Sequence, residues 1–388
     1  MAQELSYVLI TPYSLRKSRT GGIISRLLSR TGLDLVAGRM FAPSKALAEA
    51  YAEVVVGAPD PRHEQAQRLV QEYVRKNFAP DAEGNRQRVL MLVLRGEDAI
   101  QKTRSVTGYI VSDRPNGQTI RDTYGDFISE NGKVVYFEPA VLAAPDAASA
   151  GEHLALWAAH SDSDGGILED CVLFPAGVNV ETTLVLIKPD NFRFPNARPG
   201  GVIDVLSRSG LAIIGFKVHH MSLAQATEFY GPVLETLNLR MRVPAAKRAR
   251  LAIERELGFP LDAPDEDRLA DLVGPLAARD RWESIVQFMC GARPSQCPAA
   301  DRELPGTEKI IALVYRGIDA VSKIREILGP TDPEQAPPGS IRREFGQSAM
   351  INAAHASDSQ ENARREMKIL HLEENNLKPL LEGCLNPS

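Results

Sequence analysis

Apolar positions along this chain fall into short runs separated by polar turns, and the runs come in two sets. Residues 6–10 form a strand-like run, followed by a turn rich in Ser, Arg and Gly, a helical pattern over 21–32 and an alternating strand over 34–41. The same succession returns as a strand at 183–187, a turn and helix at 198–210 and a strand at 211–220. A buried strand followed by a helix at 89–104 parallels another at 310–325, and GQTIRDTYG, ending at Gly125, parallels GSIRREFG, ending at Gly346. The helical run closing on Tyr51 matches the one closing on Tyr230. Matching order at matching spacing over most of both halves implies a duplicated domain.

Each half reads as βαββαβ. The expected fold class is α+β, two tandem ferredoxin-like domains, each an antiparallel sheet with helices on one face, with C-terminal helices over 362–370 and 373–381. The boundaries this implies are 1–162 for the first copy, 163–177 for a Gly/Asp/Ser-rich linker and 178–388 for the second copy. The second copy carries an insertion at about 235–279 with two amphipathic helical patterns, 244–258, basic at its start, and 265–279, acidic. These either pair as a hairpin, bring Lys247, Arg248 and Arg250 over a bound anion as a lid, or form a solvated excursion. A loop-like stretch follows at 291–309.

One stretch, 341–366, organises the candidate chemistry. The run 348–351 reads as a short buried strand, with Asn352 and His355 beyond its end and a capping box from Asp358 to Glu361 opening a helix. A corner of this kind exposes a side chain on a rigid backbone, which suits a nucleophile. Imidazole near neutral pH offers one lone pair while its other nitrogen is held by a carboxylate, for which Glu366 is the nearest candidate. By itself His355 reads first as a loop histidine beside a helix cap, and only residues elsewhere in the chain overturn that reading.

Composition narrows the class. With 44% hydrophobic and 24% charged residues the chain is not disordered, and no apolar run approaches a membrane span. A net charge of -5 argues against general nucleic-acid binding and leaves room for a local basic pocket. The four cysteines, Cys171, Cys290, Cys297 and Cys384, fit neither a disulfide framework nor a common zinc pattern, and the N-terminus lacks a secretory signal; the expected location is the cytoplasm.

The second copy resembles nucleoside diphosphate kinase along nearly its whole length once the insertions are set aside. The resemblance rests on IKPD, containing Lys188, on Tyr230, on REILGPTDP over 325–333, on GSIR ending at Arg342, and on NAAHASDS around His355. It implies that Lys188, Arg325, Thr331 and Arg342 hold the phosphates of a nucleoside triphosphate, that His355 is the phosphoacceptor and that Glu366 orients it. It further implies a role for Asn352 at the sugar hydroxyl and for Tyr230 beside the histidine. Trp282 falls where the family has a base-stacking aromatic, and it reads equally as a core anchor. Magnesium is expected to ride on the phosphates, with Asp358 as an outer contact. Ala356 departs from the family's usual Gly, and the long insertion interrupts the nucleotide-covering region.

In the first copy Thr11 replaces Lys188, and the histidine position falls on Val141 or Leu142. Tyr51, Arg104 and Arg121 persist, the two arginines reading as surface charges. His160 in AAHSDSD mimics the NAAHASDS motif but follows its helix instead of preceding it, which places it in a polar linker. The resemblance implies γ-phosphate transfer between nucleoside triphosphates and diphosphates through phospho-His355. The rivals are a nucleotide-sensing scaffold and a phosphohistidine donor to a protein. The inert copy is expected to pack as an intramolecular pseudo-dimer partner, giving a monomer or a dimer of chains.

Overall fold

Strand β1 (Glu4–Ile10) alternates Tyr7 and Leu9 with Val8 and Ile10, and all four are fully buried because the sheet it centres is covered on both faces. This corrects the expectation of helices on one face only: an uninterrupted apolar run has no side to give to water. In the computed structural model, which describes residues 3–57, 64–110, 116–131 and 133–385, β1 is followed by α1 (Pro12–Arg16), α2 (Thr20–Thr31), β2 (Asp34–Phe41), α3 (Lys45–Val54), α4 (Glu64–Asn77) and β3 (Val89–Gly96). The first half continues through α5 (Ala99–Thr107), α6 (Ile120–Tyr124), the hairpin β4 (Asp126–Glu130) and β5 (Lys133–Glu138), β6 (Val141–Ala143) and α7 (Ala147–Ala159).

The second half repeats the plan with β7 (Val180–Ile187), α8 (Arg198–Leu206), β8 (Ala212–His219), α9 (Leu223–Leu257), α10 (Ala263–Cys290), β9 (Ile310–Ile318) and α11 (Ala320–Leu328). It ends with α12 (Ile341–Phe345), β10 (Ala354–Ala356), α13 (Gln360–Ile369) and α14 (Leu377–Leu385). The sheets run β2-β3-β1-β6 and β8-β9-β7-β10, the ferredoxin-like order. Pairing of β1 with β3 and β6, and of β7 with β9 and β10, is antiparallel.

Both sheets belong to one compact unit, residues 1–219 with 311–388. One apolar core runs through it, joining Ile23, Ile24 and Leu27 of α2 to Val202, Ile203 and Leu206 of α8. These equivalent helices cross where Gly21 and Gly200 meet; a Cβ on Gly200 would collide with the Ser25 amide and the Gly21 carbonyl. Beside them, the Phe216 ring of β8 fills the space over Gly38 of β2. The last helix crosses over: Leu377 and Leu381 of α14 are fully buried in the core of the first sheet, against α7. Asn375 donates to Ser161 Oγ and Asp162 at 2.7 Å each, tying down the start of that helix.

Residues 220–310 form a second unit. Two helical patterns of about four turns were expected, and the helices are far longer. α9 opens on a Ser222–Gln225 capping box and continues through Pro232 and Pro244, while α10 continues through Pro275. They pack through small residues, with Ala246, Ala270 and Ala278 buried and Gly274 against Arg242. Arg250 pairs with Glu266 at 2.6 Å and Arg242 with Asp271 at 2.7 Å, so the basic and acidic patterns meet each other in a hairpin. Among the described residues no helix is long and apolar enough to cross a membrane.

Replacing Gly200 with Ala forces a methyl into backbone atoms that cannot swing aside. The expected cost is about 1–3 kcal/mol of stability, read as a lowered denaturation midpoint; an unchanged midpoint would show that the α2–α8 crossing does not depend on this contact.

Candidate active site

His355 stands at the centre of β10, opposite Leu186 of β7. The expected strand at 348–351 is instead a turn, in which the Gln347 and Ser348 amides donate to the Ile351 carbonyl at 2.7 and 3.1 Å and Ser348 and Ala349 are exposed. The reason is pairing: the alternation that fits β7 is Ala354 and Ala356 buried on one side with His355 on the other, and an apolar run without a partner edge gains nothing by extending. The His355 side chain is 24% exposed, open enough to meet a ligand. Ala356 takes ordinary strand geometry, so the absence of Gly there carries no backbone cost.

On α13, Glu366 is buried and its Oε2 lies 3.1 Å from His355 Nε2. A carboxylate only accepts, so Nε2 carries the proton and Nδ1 holds the lone pair. Ser357 Oγ donates to the same Oε2 at 2.6 Å and fixes the carboxylate in turn. The sequence reading gave Ser357 no role, although its position two residues after the histidine, just past the end of β10, was the available signal. α13 is capped by Ser359, whose side chain accepts from the Asn362 amide, and not by Asp358. Asp358 accepts from Asn362 Nδ2 at 2.6 Å; that bond, with a smaller contribution from Arg325, holds its carboxyl below the usual range.

The turn before β10 is held by the end of β7. Ala353 has φ +68°, a left-handed conformation that is strained for a residue with a Cβ. Its carbonyl accepts from the Lys188 amide at 2.9 Å and from Asn191 Nδ2 at 2.8 Å, and its amide donates to Asp190 Oδ2 at 3.2 Å. Lys188 is buried, and its Nζ donates to Asn352 Oδ1 at 2.8 Å and to the Met350 carbonyl. Asn352 Nδ2 in turn donates to the Thr331 carbonyl at 3.0 Å. Arg342 donates to the Gly329 carbonyl at 2.8 Å and the Ala354 carbonyl at 3.3 Å, bracing the 329–331 turn against β10. Arg325 and Thr331 are exposed.

Lys188, Arg325, Thr331, Arg342, Asn352, His355, Asp358 and Glu366 therefore gather around one edge strand. Tyr230 and Trp282 lie in the helical unit. There Trp282 is 9% exposed and its Nε1 donates to the Tyr230 carbonyl at 3.0 Å, which pins α10 to α9. Of the two roles the sequence left open for Trp282, this is the packing one; an enclosed indole with its N–H engaged anchors helices. Among the described residues no group of three or more His, Cys, Asp or Glu side chains is arranged to hold a metal.

The family model described as nucleoside diphosphate kinase matches residues 4–135 and 305–376, more than half of the chain and parts of both halves. The chain belongs to the nucleoside diphosphate kinase family. It is 45% identical to the nucleoside diphosphate kinase of Sulfurisphaera tokodaii over 205 residues, 53% of this chain and 98% of that one. It is 28% identical to the Staphylothermus marinus enzyme of the same name over 193 residues, 50% of this chain and 94% of that one. The Aquifex aeolicus nucleoside diphosphate kinase structure aligns at 26% identity over 52% of this chain and 99% of that one, with a TM-score of 0.31.

Within this nucleoside diphosphate kinase-family chain, strand register fixes which first-half residues stand at the positions of the second-half set. Ile10 pairs with Val141 and Leu9 with Leu142, as Ile187 pairs with Ala354 and Leu186 with His355, so the histidine position is Leu142. Counting from the caps Asp146 and Ser359, the Glu366 position is His153. Its Nε2 donates to the Val54 carbonyl at 2.8 Å, so Nδ1 accepts from Tyr7 OH at 2.6 Å, and Tyr7 accepts from Tyr51 OH at 3.0 Å. Burial keeps His153 neutral by lowering its pKa and raises both tyrosines. Counted from Ser44 and Ser222, Tyr51 stands at the place of Phe229, which corrects the matching of Tyr51 with Tyr230.

Thr11, at the place of Lys188, donates to the buried Glu138 at 3.0 Å. Arg121 is no surface charge. It donates to the Gly108 carbonyl and to the Val141 carbonyl at 3.1 Å, just as Arg342 does in the second half, and burial draws its pKa down to about 10. Arg104 is exposed, as expected.

Burial likewise lowers the Lys188 ammonium to about 8, partly offset by Asp190 and reinforced by Arg342. An amine with a depressed pKa is charged below that value and loses its charge as pH rises through it. Affinity for ATP, measured by calorimetric titration, is expected to fall about tenfold from pH 7 to pH 9. Lys188→Arg, whose guanidinium stays charged, should flatten this limb. A wild-type affinity that ignores pH across this window would contradict it.

Proposed function

We propose that this chain moves the γ-phosphate of a nucleoside triphosphate to a nucleoside diphosphate in two ping-pong steps through His355. The observation that carries the reading is the His355–Glu366–Ser357 arrangement, in which a buried carboxylate, itself held by a hydroxyl, fixes the imidazole with its lone pair on Nδ1. In the first step Nδ1 forms a bond to the γ-phosphorus as the bond from that phosphorus to the β,γ-bridging oxygen breaks, and the diphosphate leaves. In the second, a terminal oxygen of another diphosphate attacks the phosphohistidine and the N–P bond breaks. Glu366 neutralises the positive charge that develops on the ring.

Lys188, Arg325 and Arg342 supply cationic donors, Thr331 a hydroxyl, and Asn352, assigned to the sugar hydroxyl, links Lys188 to the Thr331 carbonyl. Asp358, exposed beside Arg325, would hold a phosphate-bound magnesium through water, and the ion would supply charge neutralisation at the phosphates.

The first domain, 1–162, is read as catalytically inert and, past a linker at 163–177, as the structural partner of the catalytic domain, 178–388. Support comes from the continuous core between α2 and α8 and from the aliphatic Leu142 at the histidine position. The assembly is then a monomer or a dimer of chains in the cytoplasm.

His355→Ala should abolish acid-labile labelling by γ-labelled ATP and reduce transfer to a second nucleoside diphosphate by at least about a thousandfold. His160, whose Nδ1 lies 3.1 Å from the Leu156 carbonyl at the end of α7, should be replaceable by Ala with labelling near wild type. Acid-labile label persisting on the His355 variant would sink the assignment.

A further inference from the structure

Lys188 and Asp190 flank Pro189 at the exit of β7, and the first half offers a control for what each does. There the corresponding run is Thr11, Pro12, Tyr13 and Ser14. The left-handed residue survives as Ala140, with φ +58°, and its carbonyl is still held twice: by the Thr11 amide at 3.2 Å and by Ser14 Oγ at 3.0 Å, as Ala353 is held by the Lys188 amide and Asn191. The carbonyl clamp therefore belongs to the fold. Asp190 does not survive. Tyr13 takes its place, its ring edge-on to Tyr136 at 6.5 Å, and the Ala140 amide turns to the Glu138 carboxyl, which Thr11 and Tyr73 hold.

Where the lysine is lost, the aspartate is lost with it, and the amide finds its acceptor elsewhere. An amide needs an acceptor and has no requirement for a full charge at that position; a buried ammonium needs a nearby anion. We propose that Asp190 is a positioning residue for phosphoryl transfer, holding the Ala353 amide and supplying the counter-charge that keeps the buried Lys188 protonated. This rests on the phosphoryl-transfer reading above and extends it to a residue that does not touch the reacting atoms.

The surroundings agree. Asp190 is 9% exposed, and Arg198 Nη2 lies 3.5 Å from Oδ2 while also donating to the Phe345 carbonyl at 2.7 Å. The charged groups facing Asp190 are Lys188 and Arg198; those facing Lys188 are Asp190 and Arg342. Burial raises the carboxyl of Asp190, and both cations oppose that rise. Lys188 thus feels one anion that sustains its charge and one cation that opposes it, and removing the anion leaves burial and Arg342 unopposed. The lysine would then arrive at a triphosphate already deprotonated in a larger fraction of molecules.

The test is the pH dependence of ATP binding, read at equilibrium without turnover. Asp190→Asn keeps an oxygen that can accept from the Ala353 amide and removes only the charge. The alkaline limb of affinity should move down by about half a unit or more, and kcat/KM near neutral pH should fall about three- to tenfold. In a Lys188→Arg background the same substitution should shift nothing, because guanidinium does not titrate in this range. Asn191→Ala should lower the melting temperature without moving the limb. Should Asp190→Asn not fold, Asp190→Ser, a smaller uncharged acceptor, gives the same reading. A limb that stays in place, or a loss of equal size in both backgrounds, overturns the proposal and leaves Asp190 with the amide alone. A wild-type protein that binds ATP yet takes no phosphohistidine label would overturn the phosphoryl-transfer reading instead, and the limb would still decide the role of Asp190 as counter-charge.

Discussion

The closure of a three-residue edge strand onto β7 sets the geometry of everything around it. Pairing of Ala354–Ala356 with Val185–Ile187 requires the chain to turn sharply at Ala353, which adopts a conformation costing about 1–3 kcal/mol for a residue with a Cβ. Hydrogen bonds to both sides of that residue, from the Lys188 amide, Asn191 and Asp190, offset the strain. The same bonds put the lysine beneath Asn352 and turn His355 away from the two buried alanines, toward Glu366. A single backbone constraint thus aligns the Lys188 ammonium, the Asn352 amide and the His355 imidazole.

Duplication allows structural and chemical requirements to be told apart inside one molecule. The left-handed alanine, its carbonyl clamp and the arginine that braces the preceding turn occur in both halves, so Ala140, Ser14 and Arg121 report what the fold needs. Lysine, histidine and glutamate occur in one half only. Their places in the other are taken by Thr11, Leu142 and His153, the last joined to Tyr7 and Tyr51 in a neutral hydrogen-bonded chain in the core. A buried charge without a ligand to balance it is costly, and a chain of satisfied neutral groups removes that cost while filling the same volume.

Between the halves, close packing replaces flexibility. Glycines at the α2–α8 crossing allow backbones to touch, one core passes through both sheets, and α14 leaves the second half to cover the first. Such a unit loses apolar burial on both sides if either half is removed. The helical unit of α9 and α10 is built on another principle, small residues along a seam and ion pairs across it, which explains why its basic and acidic sequence patterns are complementary.

Periodicity alone was enough for the βαββαβ order, the duplication and the helical insertion, because alternation and the 3.6-residue repeat are local properties of the chain. Local pattern singled out His355 with Glu366, and the resemblance of its motifs to the family joined Lys188, Asn352 and Arg342 to them. What the chain could not show locally was decided by partners distant in sequence. The position of β10 depends on β7, so an apolar run at 348–351 lost to Ala354–Ala356; the choice between Val141 and Leu142 depends on register with β1. Arg121 looked like a surface charge because its carbonyl partners lie on other elements, and Trp282 was ambiguous because a large ring suits a base or a core equally well. Ser357 and Asp190 stood in quoted motifs without a role, since hydrogen bonds to a carboxylate on a later helix and to an amide 163 residues away exist only once the chain has folded.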